Sequence, residues 1–286
     1  MQPASSSPSG KCGPDGDPID TDRLMSIGQL AIVEHLPEAE STMDRARVLA
    51  ANADAQHLPA LVLADRQTDG RGRRGAGWWQ AAGSLAITLV TDPAWLGWPA
   101  EAERSPAASG WSLACGVALA EALQESDPDV RGGLRWPNDV EVAGRKLAGI
   151  LAERSPSGRV LFGIGVNTAG SVAEAPEALR SRLVTIPDLV GRRMPRQRLL
   201  EAFLPRLWEL LTRLVHEPTL LRERYTPLCT LRGSTVTFHH GDEVVEGICL
   251  GIDQDGAFLL ETVTGPRRFH GGSLTPQSSQ WRPSAL

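Results

Sequence analysis

The chain has 286 residues, a formal net charge of −5 and a hydrophobic fraction of 41%. This length and composition predict a buried core in one large domain, or in one large domain with a small companion. The acidic balance disfavours a protein whose main role is to bind nucleic acid, because such domains usually carry a basic face.

The cysteines and the hydropathy pattern indicate the setting of the protein. The four cysteines lie far apart, form no CxxC pair and follow no signal peptide: Cys12, Cys115, Cys229 and Cys249. We therefore expect reduced thiols and a cytoplasmic protein. No apolar run is long enough to cross a bilayer, and the six histidines show no metal-ligand spacing. Neither a membrane partner nor a protein-held transition metal is expected.

The first third of the chain opens with a polar segment and then alternates strands with a helix. Residues 1–28 are rich in Ser, Pro, Gly and Asp, which predicts a disordered leader. A helix is predicted over 41–53, with Ser41 and Asp44 in the spacing of a capping box. Strands are predicted over three segments: 31–36, 60–67 and 84–91.

The rest of the large domain follows the same alternation. An irregular connection over 95–110 leads to a mostly buried helix over 110–126, and an amphipathic helix is predicted over 196–216. Strands are predicted over three further segments: 134–142, 146–154 and 160–167. Together these elements predict an α+β fold in which helices pack on a mixed sheet.

The chain changes character after Tyr225, where short strands alternate with turns. This pattern is typical of a small β-barrel. We expect a large domain over 29–226 and a small β domain over 227–286.

The stretch TDGRGRRGAGWW, residues 68–79, places three arginines among glycines between two predicted strands. It is not expected to hold itself together as a folded element, because glycine is permissive and neighbouring arginines repel each other. It matches neither a P-loop nor a dinucleotide-binding fingerprint. Such a run can be a solvated linker or a nucleic-acid-binding tail. Its place inside a domain favours a loop that folds over an anionic small molecule.

Two further stretches carry candidate binding groups. Strand alternation puts Gly163, Gly165 and Asn167 on one bare face, which a flat ligand or another backbone could approach closely. Tight packing, with Asn167 as a turn residue, would explain the same pattern. In RWPND, residues 135–139, proline interrupts a strand among a cation, an amide and a carboxylate. An ordinary Asn-Asp turn is the alternative.

The cations indicate a reaction class. Lys146 enters an apolar strand and needs an anion, and with Arg135 and the arginines of residues 68–79 it could converge on a phosphate. The sequence shows no nucleophile paired with a matched base. Catalysis by positioning and charge stabilisation, as in phosphoryl or adenylyl transfer, fits this set of groups.

Five motifs in this order and spacing closely resemble the biotin protein ligases. They are Ser41-Thr42-Met43, Gln67 with GRGRRG (70–75), RWPND (135–139), KLAGIL (146–151) and GIGVN (163–167). The resemblance covers residues from about 30 to 275. It implies a catalytic domain related to class II aminoacyl-tRNA synthetases, followed by an SH3-like domain.

The resemblance also implies a two-step reaction. Biotin attacks the α-phosphate of ATP, with Mg²⁺, to give biotinyl-5′-adenylate, and a lysine of a biotin carboxyl carrier protein then takes the acyl group. The arginine-glycine loop would act as a lid that is disordered until it closes over this reactive anhydride.

Residue by residue, the family pattern assigns three sets of contacts. The catalytic set is Lys146, Arg71 and Arg73. The biotin set is Ser41, Thr42, Met43, Gln67, Arg71, Gly72, Arg73 and Lys146. The ATP set is Gly70, Arg74, Gly75, Trp78, Asn138, Asp139 and Asn167, with no protein-bound metal assigned.

This chain departs from the family pattern at three positions. The family commonly has asparagine at Met43, lysine at Arg135 and a basic residue at Ala76. The resemblance does not extend to the DNA-binding domain of bifunctional members, so we expect a ligase without repressor activity, as a monomer or homodimer. A lipoate ligase or octanoyltransferase is the nearest alternative, and a non-catalytic nucleic-acid-binding module is the alternative from another class.

Overall fold

The computed structural model describes residues 11–12, 17–98 and 110–275. Seven helices of these residues are α1 Thr21–Gly28, α2 Thr42–Asn52, α3 Trp111–Ser126, α4 Glu177–Arg180, α5 Ile186–Val190, α6 Arg196–Arg213 and α7 Leu220–Tyr225. The strands up to the end of the large sheet are β1 Lys11–Cys12, β2 Pro18–Ile19, β3 Ile32–Ala39, β4 Ala60–Gln67, β5 Leu85–Thr91, β6 Gly133–Arg135, β7 Asp139–Val142, β8 Arg145–Arg154 and β9 Val160–Val166. The C-terminal strands are β10 Thr235–His240, β11 Glu243–Ile252, β12 Phe258–Thr262, β13 Gly265–Phe269 and β14 Ser273–Leu274.

The large domain is built on a seven-stranded sheet in the order β3-β4-β5-β9-β8-β7-β6. Only the β3–β4 pair is parallel, and the other pairs are antiparallel. The mixed sheet with packed helices is confirmed.

Helices cover both faces of this sheet, and β4 shows why. Its alternating side chains separate into two hydrophobic clusters: Leu61 and Leu63 join the cluster that contains α3 and α6, while Ala60 and Val62 join the cluster that contains α2. A strand buried on both faces needs a continuous apolar run, which ALVLA provides. The face under α2 also carries the candidate site.

The expectation that the leader is disordered as far as residue 28 is wrong for residues 17–28. Asp20 caps α1 by accepting from the N–H of Arg23, and Leu24 of α1 is fully buried. Asp17 accepts hydrogen bonds from the backbone and the guanidinium of Arg196, which lies in α6. The apolar residues of this short helix are too few to stand out from the polar composition around them. Residues 1–10 and 13–16 lie outside the described residues, as does most of the expected connection over 95–110.

Helix α2 begins as predicted, but its cap differs in detail. The Ser41 hydroxyl accepts from the N–H of Met43 at 3.2 Å. Asp44 does not complete a capping box, because its carboxylate is paired with Arg47 and Arg71. Asp44, which the spacing predicted to cap the helix, instead binds Arg71 in the segment of residues 68–79.

The small C-terminal domain is a five-stranded antiparallel sheet in the order β13-β12-β11-β10-β14. This arrangement agrees with the predicted SH3-like domain, although the sheet does not close into a complete barrel. Its core is aromatic: Phe238 lies 5.2 Å from Phe258 and 4.5 Å from Phe269 between ring centroids.

Trp136 fastens the two domains together. The tryptophan of RWPND inserts into the aromatic core of the small domain, 5.6 Å from Phe238 and 5.2 Å from Phe258, and its indole N–H donates to the Gly256 carbonyl at 3.2 Å. Gly256 has a φ of +85°, and a Cβ there would lie 2.9 Å from the Cα of Gly110. The close approach of the two backbones therefore depends on glycine at this position.

In the ranges 17–98 and 110–275, no helix combines the length and the apolar character that crossing a bilayer requires. Among the same described residues, no three His, Cys, Asp or Glu side chains form a cluster suited to a metal ion.

Candidate active site

A cavity of about 390 Å³ lies between α2, the arginine loop (residues 68–79) and the strands β8 and β9. We call it the reaction cavity. It brings together most of the residues that the sequence predicted for the site: Ser41, Thr42, Met43, Gln67, Arg71, Gly72, Arg73, Arg74, Trp78, Asn138, Asp139 and Lys146. These side chains come from segments up to about a hundred positions apart, and the sheet places them around one space.

The floor of the reaction cavity is the bare strand face predicted around Gly163 and Gly165. A Cβ at Gly163 would lie 2.7 Å from the Met43 sulfur, and a Cβ at Gly165 would overlap the ring of Trp78. Glycine is required here because side chains from α2 and the arginine loop lie directly on the strand. The close-packing explanation of the pattern is therefore confirmed for Gly163 and Gly165, and the approach of a ligand to this face stays a prediction.

One end of the reaction cavity is polar and rigid. The Gln67 side-chain oxygen accepts from the backbone N–H of Thr42 at 2.9 Å and from its hydroxyl at 3.1 Å. The Thr88 hydroxyl donates to the Thr42 hydroxyl at 2.9 Å. These bonds fix the orientation of the Gln67 amide, so its NH₂ group has a defined direction. Such an end suits a neutral ligand group with both donors and acceptors.

The arginine loop is a folded hairpin, contrary to the expectation that it could not form an element by itself. The N–H of Trp78 donates to the Gly70 carbonyl at 2.8 Å, and the N–H of Gly72 donates to the Ala76 carbonyl at 2.7 Å. At its tip, Arg74 has a φ of 55° and Gly75 a φ of 75°. Backbone hydrogen bonds supply the order that side-chain repulsion would oppose. The expected disorder of the loop without ligand stays a prediction.

Gly70 and Gly75 shape this hairpin and lie outside the lining of the reaction cavity, and their assignment as ATP contacts stays a prediction. A Cβ at Gly70 would lie 2.9 Å from the Trp78 carbonyl oxygen, and Gly75 occupies the left-handed region. Their contribution is the turn that delivers the arginines.

Three cations of the reaction cavity, Arg71, Arg73 and Lys146, have polar side-chain partners. The Arg71 guanidinium Nη2 lies 3.0 Å from the Asp44 carboxylate, and the Lys146 ammonium lies 2.7 Å from the Asp139 carboxylate. Arg73 donates to the side-chain oxygen of Asn138 at 3.2 Å, a neutral partner. Burial, and secondly the adjacent Arg74, lowers the pKa of the Arg73 guanidinium. An incoming anion would therefore stabilise the charged form of Arg73.

Asn167 lies outside the lining of the reaction cavity, and its assignment as an ATP contact stays a prediction. It is buried just beyond the end of β9, where its side-chain NH₂ donates to the Val184 carbonyl at 3.0 Å. The Ile186 N–H donates to the Asn167 backbone carbonyl at 2.9 Å. Asn167 thus holds the segment before α5 against the sheet.

Arg135 also points away from the other cations. Its guanidinium donates to the Thr275 carbonyl at 2.7 Å and lies 3.8 Å from the Glu141 carboxylate. The hypothesis that it converges on a phosphate is wrong, because its neighbours are the small domain and β7.

Sequence reasoning missed several contributors to the reaction cavity, among them Arg182, Gly272 and Ser273. Arg182 reaches the site because its carbonyl accepts from the Lys146 N–H at 2.9 Å. Gly272 and Ser273 come from the C-terminal domain. No local pattern marks these residues, since only the docking of distant segments brings them here.

Comparison with known proteins identifies the family. Residues 37–168 match the Biotin/lipoate A/B protein ligase family, and residues 233–273 match the Biotin protein ligase C terminal domain. A biotin–[acetyl-CoA-carboxylase] ligase of Paracoccus denitrificans is 33% identical over 233 residues, which cover 77% of this chain and 94% of that protein. The chain belongs to the biotin protein ligase family.

Other relatives agree with this assignment. A ligase of the same name from Mycobacterium tuberculosis is 32% identical over 249 residues, covering 84% of this chain and 87% of that protein. The structure of a biotin protein ligase from Aquifex aeolicus in complex with biotin and ATP superposes with a TM-score of 0.73 at 26% identity, covering 85% of this chain and 97% of that chain. The chain therefore has the biotin protein ligase fold in both its domains.

Proposed function

We propose that this protein is an ATP-dependent ligase that attaches biotin to a lysine of the biotin carboxyl carrier protein of acetyl-CoA carboxylase. The proposal depends on one observation above all. The reaction cavity combines a rigid polar end at Gln67 and Thr42 with cations at Arg73 and Lys146. One end suits the ureido ring of biotin, and the other suits its carboxylate and the phosphates of ATP.

In the first step a carboxylate oxygen of biotin attacks the α-phosphorus of ATP. A new bond forms between that oxygen and phosphorus, the bridging bond to the β-phosphate breaks, and its electron pair leaves with pyrophosphate. Arg73 and Lys146 would stabilise the negative charge that develops on the phosphates, and no covalent bond to the protein is needed.

In the second step the amine of the carrier lysine attacks the carbonyl carbon of biotinyl-5′-adenylate. The amide bond forms, the bond between the carbonyl carbon and the phosphate oxygen breaks, and AMP leaves with the electron pair while the amine loses a proton. A loop that closes over the adenylate would protect it from water and reopen for the carrier.

At the biotin end, Gln67 and Thr42 would bond the ureido ring, and Trp78 would cover the apolar part of the ligand. Met43 stands where the family commonly has asparagine, and its sulfur packs on Gly163. Met43 would therefore contribute apolar contact and not a hydrogen bond.

Mg²⁺ is implied by ATP chemistry, and the reaction cavity offers one carboxylate that could bind it. Asp139 supplies the one carboxylate among the described lining residues, beside the amide of Asn138. Mg²⁺ in nucleotide sites is usually held by one or two carboxylates together with phosphates. Asp139 would hold the ion, which would neutralise phosphate charge.

The lipoate ligase alternative shares the fold and the matched family, so the substrate needs a direct test. The full chain is incubated with ATP, an apo carrier domain and either labelled biotin or labelled lipoate. We expect labelling of the carrier by biotin. Labelling by lipoate alone would overturn the proposal, and salt-sensitive nucleic-acid binding without ATP consumption would favour the non-catalytic alternative.

We also propose that the enzyme works in the cytoplasm, as a monomer or homodimer, without binding DNA. The net charge of −5 supports the last point, and the free thiols Cys115, Cys229 and Cys249 support a reducing compartment. Gel-shift and sedimentation measurements test DNA binding and oligomeric state.

A further inference from the structure

A second cavity, of about 180 Å³, adjoins the reaction cavity. The two share Arg73 and Asn138 in their walls, so the Arg73 guanidinium stands at the junction between them. Beyond this junction the second cavity is bounded by Ser112 in the first turn of α3 and by His270 of the C-terminal domain. At about 30 Å³ per water molecule, its volume holds roughly six waters, which is enough for a small ligand.

The groups around the second cavity favour an anion. Among the described residues that line it, Arg73 is the charged side chain and none is a carboxylate. Arg73 is about half buried and donates to the neutral amide of Asn138. Its hydrogen-bond partner is neutral and Asp139 acts on it only at longer range, so a bound anion would stabilise this cation and the cation would repel the ammonium of a lysine.

His270 is held at the mouth of the second cavity by the docking of the two domains. Trp136, which also lines this cavity, is 3% exposed and donates to the Gly256 carbonyl, which fixes the C-terminal domain against the RWPND turn. The His270 imidazole Nε2 lies 3.7 Å from the Asp255 carboxylate, and Arg268 takes up that carboxylate at 2.8 Å. The His270 side chain is 46% exposed, so it can turn toward a ligand, and histidine donates N–H hydrogen bonds in either protonation state.

We propose that the second cavity receives pyrophosphate as it leaves the α-phosphate, and that His270 and Ser112 bind it together with Arg73. The inference rests on the proposed function, since adenylate formation is what releases pyrophosphate. The bridging bond breaks beside Arg73, the departing oxygens move to His270 and Ser112, and no proton transfer is required. The carrier lysine then approaches the adenylate by another route.

The test measures the exchange of labelled inorganic pyrophosphate into ATP by the full chain in the presence of biotin. We expect His270→Ala to raise the KM for pyrophosphate about fivefold, as expected for the loss of one hydrogen bond to a charged ligand from a half-exposed side chain. His270→Gln keeps an N–H donor and should recover part of this loss. Ser112→Ala should show a smaller increase, and the KM for biotin should be unchanged in all three variants.

His57→Ala is the matched control, because His57 is an exposed histidine outside both cavities. A second readout is the transfer of biotin from added biotinyl-5′-adenylate to the carrier, which should be normal in His270→Ala. If the wild type exchanges pyrophosphate and His270→Ala has the same KM for pyrophosphate as the wild type, this inference is overturned and the proposed function stands. If His270→Ala instead raises the KM for the carrier and binds pyrophosphate normally, the inference is also overturned, because the second cavity would then admit the carrier lysine. No exchange by the wild type would overturn the proposed function and this inference with it.

Discussion

The ammonium of Lys146 lies 2.7 Å from the carboxylate of Asp139, across the hairpin formed by β7 and β8. Both side chains are about a quarter exposed and face the reaction cavity. The pair keeps a cation and a carboxylate side by side where biotin and ATP would meet. The positive charge of Lys146 is thus paired with a carboxylate of the protein, and Asp139 is positioned to contact the nucleotide or its metal ion.

Asp139→Asn tests whether this carboxylate also holds the metal ion. We expect adenylate formation to slow by at least tenfold and the half-saturating Mg²⁺ concentration to rise, because the variant lacks the carboxylate ligand. The measurement is pyrophosphate exchange over a range of Mg²⁺ concentrations. Arg66→Ala is the comparison, since this exposed arginine lies outside the reaction cavity and its loss should change neither the exchange rate nor the Mg²⁺ dependence. An unchanged Mg²⁺ requirement in Asp139→Asn would contradict the assignment.

Gly165→Ala tests the contact between the strand and Trp78. The new methyl group would overlap a rigid indole and force Trp78 out of place, so we expect the Kd for biotin to rise about tenfold. Gly163→Ala is the matched variant, because its methyl group meets the flexible end of Met43 and should have a smaller effect. Titration calorimetry with biotin measures both, after circular dichroism has confirmed folding. Equal Kd values in the two variants would argue against a fixed Trp78.

Glu141→Gln tests the cost of a buried carboxylate between the domains. Burial raises the pKa of Glu141, while Arg135 at 3.8 Å only partly opposes this. A raised pKa means that the folded chain binds the proton more tightly than the unfolded chain does. The ionised form therefore costs stability at neutral pH, and this cost disappears as the pH falls through the folded pKa.

Glu141→Gln should therefore have a higher Tm than the wild type at pH 7.5, and the difference should shrink towards pH 4. Thermal denaturation across this pH range provides the measurement. A variant that is less stable than the wild type at pH 7.5 would show that the Glu141 charge is stabilising.

Asp17→Ala tests the anchoring of the N-terminal segment. The Arg196 side chain is 2% exposed, and Asp17 accepts from its Nε at 3.0 Å. Removing this carboxylate leaves the buried guanidinium with the Asp65 carboxylate and the backbone carbonyl of residue 17, so we expect a loss of about 1–3 kcal/mol in the free energy of unfolding. Chemical denaturation measures this, with the exposed Asp242→Ala as the control. A loss no larger than that of the control would indicate that residues 17–28 are not tied to α6.

The sequence predicted the elements of the large domain well where hydrophobic periodicity was strong. The strand over 60–67 was predicted with the bounds of β4, because its apolar run starts directly after Pro59 and the glycine-rich stretch follows Gln67. The helix over 110–126 was likewise placed to within one residue. The short helix α1 was missed because its stability comes from contacts with α6 and not from its own pattern.

The candidate site was predictable as a set of residues but not as a geometry. Arg71, Arg73 and Lys146 line one cavity as expected, yet their partners Asp44, Asn138 and Asp139 depend on how distant segments dock. The same limit applies to Asn167. Strand alternation placed it on the bare face, but the sequence did not show that its side chain donates to the Val184 carbonyl. Trp136 joins the two domains, a role that no local pattern carries.

The central claim is that Lys146 and Arg73 stabilise the charge that develops when biotin attacks ATP in the reaction cavity. Biotin-dependent pyrophosphate–ATP exchange by Lys146→Ala and Arg73→Ala measures this step most directly, with Arg66→Ala, an exposed arginine outside the cavity, as the control. We predict exchange about 10²-fold to 10³-fold slower in both variants, with unfolding free energies within about 0.5 kcal/mol of the wild type. Wild-type exchange rates in both folded variants would contradict the claim.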